Sequence, residues 1–424
     1  MARLTILLFT LALLGGCQLF ELERQMQAAR QELVLVPGHL RASAANRPAL
    51  IALLDAQDKP VAYRIVAPGE SFYFNVAPAS YQLLAFDDGN GNFILDTDEP
   101  RHWQPQARSV PLATQPDAST RERLMQHNPL SLASDDLAPA PALDLSMAVL
   151  YREHPRLRSN YLQQVDLDDP RFAPPQVSLG AWQPLTFIRE IGYGFYLLAP
   201  WDAQKEPVFL VHGINSSPDV WRELVDSFDP QRFQLVLFHY PSGVPLNNSA
   251  YMLSEGIRDI QLRHAPKRFH VFAHSMGGLV ARRAVQLLAS SDATTRQCLF
   301  FTLSTPWGGH PSAATGIAHA PVVVPVWRDM APGSPFLQAL FATPLPAHID
   351  QWQLVSYGNN SRLITQPNDG VVPLASELRA VAQDEANHLY LLTDSHTGIL
   401  RSSRSKELVR RALDRLGEEG CRSH

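Results

Sequence analysis

Cysteine is scarce, with three residues among 424. A scaffold stapled by a disulfide framework is thereby excluded. Charge of one sign is also missing. The 36 Lys and Arg stand against 41 Asp and Glu, a formal net charge of -5, which gives no reason to expect nucleic acid as a partner. Long apolar runs are nearly absent. The run from Leu4 to Leu14 is too short to span a bilayer comfortably, and nothing after it reads as transmembrane. There is no internal repeat and no long low-complexity tract. What is present is an ordinary globular balance, 45% hydrophobic and 18% charged, in a chain long enough for two or three domains. Half of the 34 prolines fall between about 60 and 210, where they favour β structure and linkers over long helices.

The N-terminus reads as a targeting segment. Arg3 supplies a positive start, Leu4 to Leu14 the apolar stretch, and Gly15 and Gly16 the small residues of a cleavage site. The string Leu14-Gly15-Gly16-Cys17 resembles the bacterial lipoprotein signal. That resemblance implies removal of 1–16 and lipidation of Cys17. Gln18 resembles the residue that follows the cysteine in lipoproteins sent to the outer membrane. The expectation is a protein of the bacterial cell envelope, tethered by lipid at the outer membrane. A plain secretory peptide is the alternative. Residues 17–35 would be a tether or a short helix, since Leu19, Leu22, Met26 and Leu33 lie at near-heptad spacing. Of the other cysteines, Cys298 opens an apolar strand and Cys421 lies in a polar tail. Cys298 is expected as a buried free thiol, with a bridge to Cys421 as the alternative.

Residues 36–105 carry short apolar or aromatic runs, Ala49 to Leu54, Val61 to Val66, Ser71 to Val76 and Tyr81 to Phe86, parted by Pro, Gly, Asn and Asp. They read as a small β-sandwich-like module. The stretch from Val76 through Pro78 and Tyr81 to Asp87 resembles transthyretin-like and other prealbumin-like sandwiches. Within it, Asp88, Asn90, Asn92, Asp96 and Glu99 have the oxygen spacing of a calcium loop. Phe93 stands where that loop needs glycine, and no helix precedes it. A polar hairpin turn is the favoured reading, with calcium as the alternative. Residues 106–180 have poor periodicity and read as a connector.

From 181 to 418 apolar runs alternate with amphipathic stretches, the α/β signature. Strands are expected at Phe195–Leu198, Val208–Val211, Phe233–Phe238, Phe269–Ala273, Cys298–Leu303, Trp352–Tyr357 and His388–Leu392. Ser217 and Pro218 are expected to open a helix that buries Val220, Trp221, Leu224, Val225 and Phe228. The last helix would bury Leu408, Val409, Ala412, Leu413 and Leu416.

Ala273-His274-Ser275-Met276-Gly277-Gly278 follows a strand and opens a helix, as a nucleophile elbow requires. Ala273 stands in for the first glycine of the usual pattern. Three further features accompany it. Val208 to Gly213 is a strand ending in His-Gly and resembles the oxyanion-hole loop of bacterial lipases, which implies Ile214 and Met276 amides as donors. Asn368-Asp369-Gly370-Val371-Val372-Pro373 resembles the acid loop of the same families, and Asp394 is the substitute acid. Asp394-Ser395-His396-Thr397-Gly398 follows the last strand, where such folds place their histidine. A serine hydroxyl needs a base, and the base needs a carboxylate to hold its tautomer. His212 and His274 read as structural parts of their motifs.

The resemblance extends to Leu303-Ser304-Thr305-Pro306-Trp307-Gly308-Gly309 and to Asp329-Met330-Ala331-Pro332-Gly333-Ser334, the latter closing a lid-like insertion over about 308–335. Together these features resemble the lipase and esterase branch of the α/β-hydrolase superfamily, including relatives of the GPI inositol-deacylase type. The expectation is an α/β-hydrolase fold and a serine carboxylic ester hydrolase with Ser275, Asp369 and His396 as triad, needing no cofactor. Its partners would be an ester with an apolar acyl chain and the membrane. An acyltransferase or phospholipase on the same triad, or an envelope interaction protein, are the alternatives.

Overall fold

The run Ala49–Leu54 is apolar at every position, a pattern that suits a strand buried on both faces. The computed structural model describes residues 20–28, 32–43, 46–111, 123, 126–153, 160–289, 296–358, 366–419 and 421, and in it this run is β2, an interior strand of an N-terminal sandwich. One sheet has the order β3 (Pro60–Val66), β2, β5 (Gln82–Phe86), β6 (Arg101–Gln104). The other has β4 (Ser71–Val76), β1 (Val34–Ala42) and β7 (Val110–Pro111), with β8 (Pro129–Ser131) parallel to β1. Ala49, Ile51 and Leu53 meet Val36, Phe72 and Phe74 between the sheets. Leu50, Ala52 and Leu54 are covered on the outer face by Phe93, Leu143, Leu145 and Leu150. Alternation sends successive side chains to the two sides, so both must be apolar.

The stretch read as a connector contributes to both halves of the molecule. It supplies β7, β8 and the helix Met147–Glu153 to the sandwich, and β9 (Tyr161–Gln164) to the large sheet. Its pieces are two to seven residues long. Runs that short carry no readable period.

The large sheet has eight strands in the order β16-β15-β14-β13-β11-β12-β10-β9. These are β9, β10 (Gly194–Leu197), β11 (Glu206–Val211), β12 (Phe233–His239), β13 (Arg268–His274), β14 (Arg296–Leu303), β15 (Asp350–Ser356) and β16 (His388–Leu392). Only β10 runs antiparallel to a neighbour, β12. The seven expected strands are all present, with ends displaced by at most two residues. Helices Leu246–His264 and Met276–Ala289 cover one face. Ser403–Glu419 covers the other, with Leu408, Val409, Ala412, Leu413 and Leu416 buried as expected. Because the strands around β13 are parallel, their C-terminal ends share one edge. That edge carries the loops after β11, β13, β14, β15 and β16.

Two expectations are corrected. The helix after Ser217 is instead a pair of 3-10 turns, Pro218–Trp221 and Val225–Ser227. The Ser217 hydroxyl donates to the Phe172 carbonyl at 2.9 Å and caps nothing, though Trp221, Leu224 and Phe228 are buried all the same. Cys298 is not a free thiol. It is disulfide-bonded to Cys421 across 123 residues, with the Cα atoms 4.8 Å apart. The long C-terminal helix packs along the start of β14 and delivers the polar tail there. A crosslink of that span restricts the unfolded chain and contributes about 2–4 kcal/mol.

Leu22 and Met26 lie on a helix over 20–28 that rests on the body built on the large sheet, with Leu22 fully buried in its core. Gln25 fixes the helix sideways by donating to Thr186 Oγ1 at 2.6 Å. Leu33 is half-buried, whereas Cys17, Gln18 and Leu19 lie outside the described residues. Among the described residues no helix is long and apolar enough to cross a membrane.

Candidate active site

β13 ends at His274 and a helix starts at Met276, so the chain reverses within one residue. That residue is Ser275, held at φ +57° in the left-handed region. A non-glycine residue there is uncommon, and its cost is met by the packing around it. The glycines that flank it have no spare room. A Cβ on Gly277 would lie 2.5 Å from the His212 and Val211 carbonyl oxygens, and one on Gly213 would lie 2.8 Å from Ser275 Cβ. The tight turn of the sequence motif is thus imposed by β11 passing directly beneath the helix start.

Three side chains converge at this edge from separate elements. His396, four residues past β16, has Nε2 at 2.9 Å from Ser275 Oγ. Its Nδ1–H donates to Asp369 Oδ2 at 2.6 Å. Asp369, in the loop after β15, takes two amides on its other oxygen, Val371 N–H at 2.9 Å and Val372 N–H at 2.7 Å. The Ser356 hydroxyl donates to Oδ2 at 2.7 Å. The backbone joins the two loops as well, since His396 N–H donates to the Asp369 carbonyl at 2.9 Å. Asp369 is fully buried, and Ser275 and His396 are each 7% exposed. Burial alone would raise the Asp369 carboxyl. The hydrogen bond and charge of His396, with Ser356 and the Val372 amide, pull it down to about 2. Asp394 gives its backbone carbonyl to Gly358 N–H, and the His396 Nδ1 is occupied by Asp369.

Ile214 and Met276 flank the serine, on the loop after β11 and at the start of the elbow helix. Their N–H groups donate to no acceptor among the described residues, and Met276 is itself buried. His212 and His274 are buried. Burial lowers them to about 4 and about 3 respectively, so both are neutral. His212 Nδ1 donates to the Gly213 carbonyl at 2.9 Å, and Tyr240 Oη donates to the His212 carbonyl at 2.7 Å. His274 Nε2 donates to the His396 carbonyl at 2.9 Å and so ties the histidine loop to the elbow strand. Sequence reading marked these two histidines as structural. It missed Ser356, Ser304 and Glu377 behind Asp369. No local signal marks a serine at a strand end or a glutamate in a short helix.

The insertion after β14 forms short helices Pro311–His319 and Pro325–Met330. It is tied to two neighbouring loops. His310 Nε2 donates to the Val371 carbonyl at 2.6 Å on the acid loop, and Val326 N–H reaches the Gly243 carbonyl at 3.4 Å beyond β12. Val322, Val324 and Val326 are buried in the main core, while Val323 and Trp327 are half-buried.

The calcium-spaced residues form a closed turn. Asp88 accepts from the Gly91, Asn92 and Phe93 amides, Glu99 from Gly89 and Asp96, and Asp96 Oδ2 from the Asn90 and Asn92 side chains. Among the described residues no group of three or more His, Cys, Asp or Glu side chains is gathered as for a metal ion.

No curated protein matches the chain. The chain is similar in structure to a Bacillus licheniformis lipase in mature form at 15% identity, over 52% of this chain and 97% of that one, with a TM-score of 0.43. It is similar to Aspergillus fumigatus lipase B at 18% identity, over 52% and 56% of the two chains, with a TM-score of 0.40. A Pyrococcus furiosus esterase is 15% identical over 51% and 83%, with a TM-score of 0.36. Residues 206–295, from β11 through the elbow helix, match the family described as alpha/beta hydrolase fold, and the body built on the eight-stranded sheet has that fold.

Proposed function

We propose that this chain is a lipid-anchored serine carboxylic ester hydrolase of the lipase or esterase type. The observation that carries the reading is the relay of Ser275 Oγ, His396 Nε2 at 2.9 Å, and His396 Nδ1 to Asp369 Oδ2 at 2.6 Å, on three separate loops at one sheet edge. In the first step Ser275 Oγ attacks the acyl carbonyl and His396 Nε2 takes its proton. Asp369 holds the imidazole in the Nδ1–H tautomer and stabilises the imidazolium. The Ile214 and Met276 amides receive the developing oxyanion. His396 then returns the proton to the leaving alkoxide. Water, deprotonated by His396, attacks the acyl-enzyme and releases the acid. The residues already supply nucleophile, base and oxyanion donors, so the steps are complete without a cofactor.

The substrate class follows from the insertion. An apolar segment that joins the acid loop to the loop after β12, with Val323 and Trp327 only half-buried, suits an acyl chain. Each added methylene would then contribute up to ~0.8 kcal/mol until the channel is full. The value of kcat/KM on p-nitrophenyl esters is expected to climb a few-fold or more per pair of carbons from acetyl upward and then level off, with Val323→Asp flattening the climb. A profile that is flat or falling from the shortest ester, and unmoved by Val323→Asp, would remove the segment as an acyl site.

The anchor reading rests on Leu14-Gly15-Gly16-Cys17 and is supported by the docked helix, whose first described residue, Phe20, is 67% exposed. Cys17→Ser, made with its own signal sequence, is expected to lose labelling by a clickable palmitate and to leave the membrane fraction. Equal labelling of both forms would overturn the anchor.

A further inference from the structure

Two carboxyl groups, and not one, stand behind His396. Asp369 and Glu377 are both fully buried, and both are held by Ser356. The Ser356 hydroxyl donates to Asp369 Oδ2 at 2.7 Å, and the Ser356 N–H donates to Glu377 Oε2 at 3.0 Å. With its proton committed to Asp369, Ser356 Oγ accepts from Ser304 Oγ at 2.6 Å. Ser304 is itself fixed at φ +50°, at the end of β14. The two carboxyls are furnished very differently. Asp369 receives four donors, which fill its lone-pair sites. Glu377 receives one, and its Oε1 is buried with no partner. Two charges cannot both be carried in one buried site, so the better-solvated group ionises and the other keeps its proton. Burial, with the Asp369 charge beside it, pushes the Glu377 carboxyl well above the usual range. The titratable groups that face it are Asp369 and, beyond that, His396. The nearby Arg379 is turned to the Trp307 and Leu337 carbonyls, at 3.1 and 3.2 Å.

We propose that Glu377 is a positioning residue and a reserve of negative charge for the triad: neutral while Asp369 is ionised, and ionised in its place when Asp369 carries no charge. It acts through Ser356 and touches neither substrate nor the serine. In the neutral state its Oε2 anchors the Ser356 amide and so aims the Ser356 hydroxyl at Asp369. With an amide at position 369 the repulsion is gone. Burial still opposes its charge, so Glu377 releases its proton at a lower pH than in the parent, and that charge then stabilises the His396 imidazolium across Ser356. The proposal rests on Ser275, His396 and Asp369 being the catalytic triad.

The test is a four-member cycle of parent, E377Q, D369N and D369N/E377Q, with kcat/KM on a soluble short-chain ester from about pH 6 to pH 9. Glutamine keeps the acceptor for Ser356 N–H and cannot ionise. In the parent background E377Q is expected to cost a few-fold, and in the D369N background a further tenfold or more. The residual activity of D369N should rise with pH as Glu377 ionises, and D369N/E377Q should lack that rise. A role in packing alone predicts the same cost in both backgrounds and no change in pH profile, and that result overturns the proposal. Melting curves give a second reading that does not depend on turnover. An acid whose folded-state pKa lies above its ordinary 4.5 stabilises fully below that value and loses the contribution as pH rises through the folded value. The Tm of E377Q should therefore gain on the parent as pH climbs above 4.5. A difference that stays constant with pH overturns the neutral acid. If E377Q fails to fold, E377M in both backgrounds gives the same comparison. Should Ser275→Ala retain turnover, the triad reading fails as a whole; if it is inactive and the cycle is additive, only the role of Glu377 fails.

Discussion

Ser275→Ala is expected to lose of order 10⁶-fold in kcat on any ester the protein turns over, and His396→Ala about as much. The two losses should not add. Without the hydroxyl the base has no proton to take from a nucleophile, and without the base the hydroxyl is an alcohol attacking from its neutral form. The double variant should therefore be no worse than either single one. What survives is the contribution of the proposed oxyanion donors and of substrate binding, roughly 10³–10⁴ above water. Labelling by a fluorophosphonate probe should vanish in Ser275→Ala and be strongly slowed in His396→Ala. Both variants should fold, since neither side chain is needed to hold the elbow: the left-handed turn at 275 is set by Gly277 lying against the β11 carbonyls. A Ser275→Ala form that keeps more than about a hundredth of the parent kcat would end the serine-hydrolase reading.

The second large effect concerns the acid. Asp369→Asn keeps the shape of the loop but removes the charge, and an amide facing Nδ1 favours the wrong imidazole tautomer. Losses of about 10⁴-fold are the measure of that change in other serine triads. Here the full loss is expected in D369N/E377Q, with D369N alone milder by the tenfold or more that Glu377 supplies. Asp394→Asn should stay within a few-fold of the parent, because its contact in this region is a backbone carbonyl on Gly358. The measurement is kcat/KM for all three at one pH. If Asp394→Asn is crippled and Asp369→Asn is near normal, the acid has been assigned to the wrong loop.

Much of the catalytic half was legible because its signals are local. Most strands of the large sheet from β10 onward carry a short apolar run, and the elbow is six contiguous residues whose small side chains have one steric explanation. The N-terminal sandwich was readable where both faces are buried, as in Ala49–Leu54, and unreadable where strands shrink to two or three residues, as in Val110–Pro111 and Pro129–Ser131. The helix expected at Ser217 failed for a related reason. A serine and a proline at the right spacing make a cap only if the hydroxyl is free, and here Phe172, 45 residues away, takes it.

The sequence by itself determined the nucleophile turn, the order of serine, acid and histidine along the chain, and the parallel strands that carry them. These depend on residues close together, where steric demand and hydrophobic period act directly. The tertiary structure alone decided which carboxylate faces His396, since Asp369 and Asp394 lie on loops of similar composition and only the register of β15 against β16 brings one to the imidazole. It also decided that Cys298 meets Cys421, and that Ser304, Ser356 and Glu377 gather behind the acid. Those meetings join residues 13 to 123 positions apart, at distances set by how helices pack on the sheet. No periodicity records them, because each is one polar residue placed where an apolar pattern happens to end.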